Sequence, residues 1–156
     1  MREKTKKAGD NILTRKEIGK RGEEIAAEFL ERKGLRIVER NYHCRWGELD
    51  LVAVRFSEEE GSGDRLYYDD ETGEMTVNDT MSGSCGVHFV EVKTRTGRAY
   101  GAPGEAVTYR KQQKIKKTAL TWLQEQPDYF RGIYFDVIEI YVESGTAKIR
   151  WLQHCF

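Results

Sequence analysis

Residues 47–56 read Gly-Glu-Leu-Asp-Leu-Val-Ala-Val-Arg-Phe, and residues 87–95 read Val-His-Phe-Val-Glu-Val-Lys-Thr-Arg. Both stretches are rich in β-branched and aromatic residues and flanked by glycine or serine, so both read as strands. Charge interrupts each apolar run: Glu48 and Asp50 in the first, Glu91 and Lys93 in the second. Alternate strand residues share a face, which groups Glu48 with Asp50, and Phe89 with Glu91 and Lys93. If the two strands are sheet neighbours, Asp50 and Glu91 converge on one cation, with Lys93 a single pleat away. Carboxylate oxygens with few nitrogen or sulfur donors suit Mg²⁺ or Mn²⁺. Such an ion polarises a phosphoryl oxygen and supplies a water nucleophile, and a neighbouring lysine orients that water or neutralises developing charge. Taken singly, each motif is more often a solvated strand face with one ion pair. The combination, not either piece, points to chemistry.

Working outward, residues 17–34 place Ile18, Ile25, Ala26, Phe29 and Leu30 at helical spacing and end at Gly34. Residues 35–42 read as a strand joined to 47–56 through a Trp-Gly break. Residues 57–87 are rich in Gly, Ser, Asp and Glu. Within them Arg-Leu-Tyr-Tyr-Asp-Asp and Glu-Met-Thr-Val-Asn-Asp flank a Glu-Thr-Gly turn as a short surface hairpin. A glycine-rich loop follows the 87–95 strand. Residues 107–126 then form a second helix, with Ile115, Ala119 and Leu123 on one face and Lys111, Lys114 and Lys117 towards another. Residues 133–142 and 147–153 read as strands. The order α-β-β-insert-β-α-β-β describes an α/β domain around one mixed sheet.

The 156 residues fit one domain, and 38% hydrophobic with 33% charged residues suits a core beneath a well-solvated surface. No apolar run is long enough to span a bilayer, so no membrane partner is expected. Residues 1–16 are basic without an apolar stretch behind them and read as a flexible arm rather than a secretory signal, leaving 17–156 as the domain. Cys44, Cys85 and Cys155 are an odd, scattered set that favours a reducing cytoplasm. The formal net charge is zero, yet residues 57–87 hold nine acids and one arginine, so a body of +8 is cancelled by a single segment of −8. This asymmetry says more about partners than the total does.

The motifs Gly19-Lys-Arg-Gly-Glu23, Asn41-Tyr42, Gly47-Glu-Leu-Asp-Leu51, Phe89-Val-Glu-Val-Lys-Thr-Arg95, Tyr100-Gly101, Arg110-Lys-Gln-Gln113 and Phe135-Asp-Val137 occur in this order. With them the chain resembles the uncharacterised bacterial YraN-type family, a branch of the PD-(D/E)XK nuclease superfamily near archaeal Holliday-junction resolvases. The resemblance covers about residues 19–140, and its ordered set is far more specific than any one piece. It implies a restriction-endonuclease-like αβββαβ core, a mixed sheet flanked by helices, and metal-dependent cleavage of structured or branched DNA. It also implies metal sites at Asp50 and Glu91, a catalytic lysine at Lys93, a contributing helix carboxylate at Glu23, and a polar helix position at Gln112. The family joins its second and third core strands by a short turn. Here the acidic segment stands between them, which bears on access to the site.

Several residues carry two readings. Glu23 by itself is a helix-dipole partner, and the resemblance makes it a ligand or water-positioning group. Glu48 is either a supporting ligand or a salt-bridge partner. Asp136 is expected to hold a structural hydrogen bond, and Trp122 and Trp151 to pack in the core or at its rim. The spacing of His43, Cys44, Cys85 and His88 matches no compact zinc module. Arg110, Lys111, Lys114 and Lys117 would ordinarily be a solvated face. Beside a phosphodiester-cleaving site they become phosphate contacts, joined by Arg95 and Arg98. A homodimer fits the two-fold character of junctions. Two further functions remain open: a non-catalytic nucleic-acid-binding protein that keeps the fold, and an interaction module. In the last case the acidic insert meets a basic protein, or it covers the chain's own basic face.

Overall fold

The computed structural model describes residues 14–56, 66–68, 75–77, 85–96, 107–127, 130–143 and 145–156. The elements run α1 (Arg15–Arg32), β1 (Arg36–Cys44), β2 (Gly47–Phe56), β3 (Leu66–Tyr68), β4 (Met75–Val77), β5 (Cys85–Thr96), α2 (Tyr109–Gln124), β6 (Gly132–Glu143) and β7 (Thr146–Leu152). This is the expected α/β, restriction-endonuclease-like αβββαβ core, extended by β7. A five-stranded sheet has the order β1-β2-β5-β6-β7, and β3 and β4 form a separate two-stranded sheet. The β5–β6 pair is parallel and the other pairs are antiparallel, because α2 provides the crossover that a parallel pair requires. Among the described residues no helix is long and apolar enough to cross a membrane.

Two boundaries differ from the sequence expectation. The Thr14 hydroxyl accepts from Glu17 N–H at 3.2 Å while the Glu17 carboxylate accepts from Thr14 N–H at 2.7 Å. This capping box starts α1 at Arg15, so residues 15 and 16 form its first turn rather than the end of an arm. Likewise Cys85–Val87 are strand, in register with β2 from Phe56 to Val54, so the inserted segment ends before Cys85.

Each face of the sheet has its own core. Ala26, Ala27 and Leu30 of α1 pack on Leu51, Ala53, Val90, Ile138 and Ile140. Ile115, Ala119 and Trp122 of α2 pack on Val52, Val54, Val87 and Phe89. Gly22 is what lets α1 lie so close to β5. A Cβ there would sit 1.7 Å from Thr94 Oγ1, so any side chain would push the helix off the strand that carries Glu91 and Lys93. Polar residues inside the sheet are satisfied in place. Asp136, as expected, is structural: it meets His88 Nδ1 at 2.8 Å and accepts from Trp151 Nε1 at 3.1 Å and His154 N–H at 2.8 Å. Buried Glu139 accepts from Arg150 Nε at 2.8 Å, again from Arg150 Nη2, and from the Tyr141 hydroxyl at 2.9 Å.

Candidate active site

Strand alternation breaks at Asp50. Leu49 packs into the core beneath α2 and Leu51, two residues on, into the core beneath α1. The neighbouring strand bends at the same level. Arg40 pairs with Leu51 and Tyr42 with Leu49, while Asn41 between them takes a left-handed φ of 54°. Asparagine tolerates that region better than other non-glycine residues, which accounts for its place in a strand otherwise suited to β-branched side chains. The expectation that Glu48 shares a face with Asp50 therefore does not follow from alternation. The Glu48 carboxylate meets His43 Nε2 at 3.1 Å, with both side chains more than half exposed.

The β2–β5 register ends at Leu51 opposite Val90. One position further, Asp50 Oδ2 accepts from the Val92 N–H at 2.7 Å, so a side chain stands where the ladder would use a carbonyl. The two strands thus meet in a notch, with Asp50 on one wall and Glu91 and Lys93 on the other. Burial pushes the Asp50 carboxyl from 3.8 up to about 7, and the charge of Glu91 adds to this. The Val92 N–H opposes the rise, Glu23 reinforces it, and Lys111 opposes it. Two further negative groups therefore bear on one desolvated carboxylate.

Asn41 donates its side-chain amide to Glu23 Oε2 at 3.1 Å and fixes that carboxylate at the mouth of the notch. Glu91, about one-tenth exposed, pairs with Lys111 Nζ at 3.2 Å. Lys111 thus belongs to the carboxylate cluster rather than to an open phosphate-binding face. Lys93 is partly buried and lies beside Glu139 of β6 in the parallel register. The Gln112 amide donates to the Val107 carbonyl at 3.1 Å, which places it as a brace for the start of α2. The Nε of Arg95 is buried with no hydrogen-bond partner among the described residues. Arg110, Lys114 and Lys117 are exposed on α2, and Arg98 lies outside the described residues.

Among the described residues no group of three His, Cys, Asp or Glu side chains is close enough to hold a metal ion by itself. The structure therefore does not gather Glu23 with Asp50 and Glu91 as a third ligand. Two hard carboxylates, one of them held well above its ordinary range by burial and by the charge of the other, still suit an ion such as Mg²⁺. That ion commonly takes one or two protein carboxylates and leaves its other positions to water and phosphate oxygens.

Over residues 22–140 the chain matches the family described as "Uncharacterised protein family UPF0102". The chain belongs to UPF0102. A UPF0102 protein of Syntrophomonas wolfei is 40% identical over 141 residues, covering 90% of this chain and 98% of the relative. One from Nocardia farcinica is 39% identical over 132 residues, 85% of this chain and 82% of the relative. One from Pelobacter propionicus is 42% identical over 127 residues, 81% and 72% respectively. The UPF0102 match begins at Gly22, beside Glu23, and runs through Asp50, Glu91, Lys93 and Gln112. Sequence reasoning missed two parts of the site. Asn41 belongs to a sequence motif that assigns it no role, although asparagine in mid-strand is among the few non-glycine residues that tolerate a left-handed kink. Lys111 was placed on the basic face, and only the packing of α2 against β2 and β1 reveals its carboxylate partner.

Proposed function

We propose that this UPF0102 protein is a metal-dependent endonuclease that hydrolyses phosphodiester bonds in structured or branched DNA. The observation that carries the reading is the Asp50–Val92 contact in the notch. It sets a desolvated carboxylate beside Glu91, with Lys93 two residues along the same strand. A divalent ion held there by Asp50 and Glu91 would supply Lewis acidity at a phosphoryl oxygen and an acidified water. Lys93 is the group suited to orient that water or to meet negative charge developing on the phosphate. Asn41 keeps Glu23 directed at the notch, and Gln112 braces the turn from which Lys111 reaches Glu91. Arg110, Lys114 and Lys117 supply phosphate contacts along α2, with Arg95 near the end of β5 and Arg98 after it as further candidates. Cytoplasmic residence accords with Cys44 and Cys155 being free thiols, and a homodimer would match a two-fold junction.

One observation favours a second reading. The Lys111 ammonium sits on Glu91 as a cation would, which also suits a binding protein that has kept the fold without turnover. A four-way junction, a nicked duplex and a linear duplex incubated with Mg²⁺, Mn²⁺ or EDTA separate the two. The endonuclease reading expects cleavage of the branched substrate with either metal and none in EDTA. Tight junction binding without cleavage under any metal would establish the second reading instead.

A further inference from the structure

The turn between β1 and β2 consists of Arg45 and Trp46, and its tip is pressed onto α2. Gly47 has φ 153°, and a Cβ there would lie 3.3 Å from Thr118 Oγ1, so the glycine allows the hairpin to seat beside the helix. Trp46 is left 40% exposed, unlike Trp122, which is core. The Arg45 guanidinium carbon lies 4.6 Å from the Trp46 ring centroid and Lys117 Nζ 5.0 Å from it. Around the ring is a cavity of about 380 Å³ lined by Arg45, Trp46, Arg110, Gln113, Lys114 and Lys117. Four of those six residues are cations and none is an acid. The next cavity along α2 is lined by Lys111, Lys114 and Ile115 of the helix and by His43, Cys44, Gly47 and Glu48 of the hairpin, with Glu48 against His43 and Lys111 paired with Glu91. Lys114, shared by both cavities, therefore links the indole to Lys111 and the carboxylate notch, past a single acid, Glu48, that faces His43.

We infer that Trp46 is a stacking platform for one unpaired nucleobase, with Arg45, Arg110, Lys114 and Lys117 holding the phosphates on either side of it. The inference rests on the nucleic-acid reading above and deepens it by naming the substrate feature recognised. Bases inside a duplex are already stacked, so a flat ring at a hairpin tip can gain a base only from a single-stranded, frayed or branched segment. Cations within 6 Å of an indole are held by its π face. An arriving base replaces one of them over the ring, and the displaced guanidinium or ammonium is then available to a phosphate. Lys111 to Lys117 spans six helical residues, roughly 9 Å of rise. At about 3.4 Å per stacked nucleotide, the platform sits some two to three nucleotides from the notch. That spacing gives a reason for preferring substrates with unpaired bases next to the cleaved bond.

The test measures binding in EDTA, so that cleavage plays no part. Fluorescence anisotropy compares labelled oligo(dT), a forked duplex and a blunt duplex against wild type, Trp46→Ala, Trp46→Phe and Lys114→Ala. Trp46→Ala should weaken oligo(dT) and fork binding roughly 5- to 100-fold, the range for one base on an aromatic ring. It should leave blunt-duplex affinity and the salt slope unchanged. Trp46→Phe should retain most of the affinity, and oligo(dT) should quench wild-type tryptophan emission but not that of Trp46→Phe. Lys114→Ala should weaken all three ligands and lower the salt slope by about one. Equal losses on single-stranded and duplex DNA, or no quench in wild type, would overturn the stacking role while leaving the nuclease reading intact. Failure of the wild type to bind any of the three DNAs would overturn both. Should Trp46→Ala fail to fold, the quench comparison decides alone.

Discussion

Replacing Asp50 by asparagine should stabilise the metal-free protein at pH 8. The folded structure holds the Asp50 carboxyl at about 7 against its ordinary 3.8. Because the folded value is raised, the contribution of this group to stability is complete below the unfolded pKa and is lost as pH climbs from near 4 through 7. A shift of about three units corresponds to about 4 kcal/mol at most. Partial exposure of Asp50 and relaxation around Lys111 reduce this to about 2–4 kcal/mol. Asparagine carries no charge to desolvate, and its carbonyl oxygen can still accept from the Val92 N–H. Urea denaturation in EDTA should therefore show Asp50→Asn more stable than wild type at pH 8, with a melting temperature roughly 5–15 °C higher. Near pH 4 the two should agree within about 1 kcal/mol. Excess Mn²⁺ should close the gap by raising only the wild type, through preferential binding to the folded state. A variant that is less stable than wild type at pH 8 in EDTA would refute the reasoning. It would mean that the ionised carboxylate is already satisfied by the Val92 N–H and Lys111.

Other features give separate tests. Gly22→Ala should cost about 1–3 kcal/mol by overpacking against Thr94, while Gly19→Ala, with open space around its Cβ, should gain up to about 1 kcal/mol of helix propensity. Thermal melts of the pair check both signs. Arg150→Ala leaves Glu139 buried without its cation and should cost about 3 kcal/mol in urea titrations. Replacing the acidic insert with an Asn-Gly turn should tighten DNA binding and steepen its salt dependence, if the insert competes with phosphates for the basic face. Unchanged affinity and slope would mean that it never meets that face.

The elements were readable from sequence because each has a strong local cause. Gly34 stops α1 with φ +80° and the apolar runs of β2, β5 and β6 are long and bounded, whereas the Thr14–Glu17 cap starts α1 two residues ahead of the expected helix. Even the pairing within the insert was legible from the two short runs on either side of Glu71-Thr-Gly73 in the sequence, and β3 pairs with β4 in the register Leu66↔Val77. The site was legible less completely. Asp50, Glu91 and Lys93 stand out because charge in a buried strand is costly enough to need a reason. What period-two reasoning could not supply was the break at Asp50, since it arises from Asn41 on a different strand. Nor could it supply the Lys111–Glu91 pair, which depends on how α2 lies across the sheet. Trp46 looked like a turn residue because its exposure and its two cations are set by the docking of the hairpin tip on Thr118.

The central claim is that Lys93 acts on the reaction at a metal held by Asp50 and Glu91, and single-turnover cleavage of a four-way junction in Mn²⁺ tests it most directly. Wild type should cleave. Lys93→Ala should lose cleavage by about 100-fold or more while binding the junction nearly as tightly, because ground-state affinity is spread over many phosphate contacts. Cleavage by Lys93→Ala at the wild-type rate, or a wild type that binds the junction and never cuts it, would contradict the account.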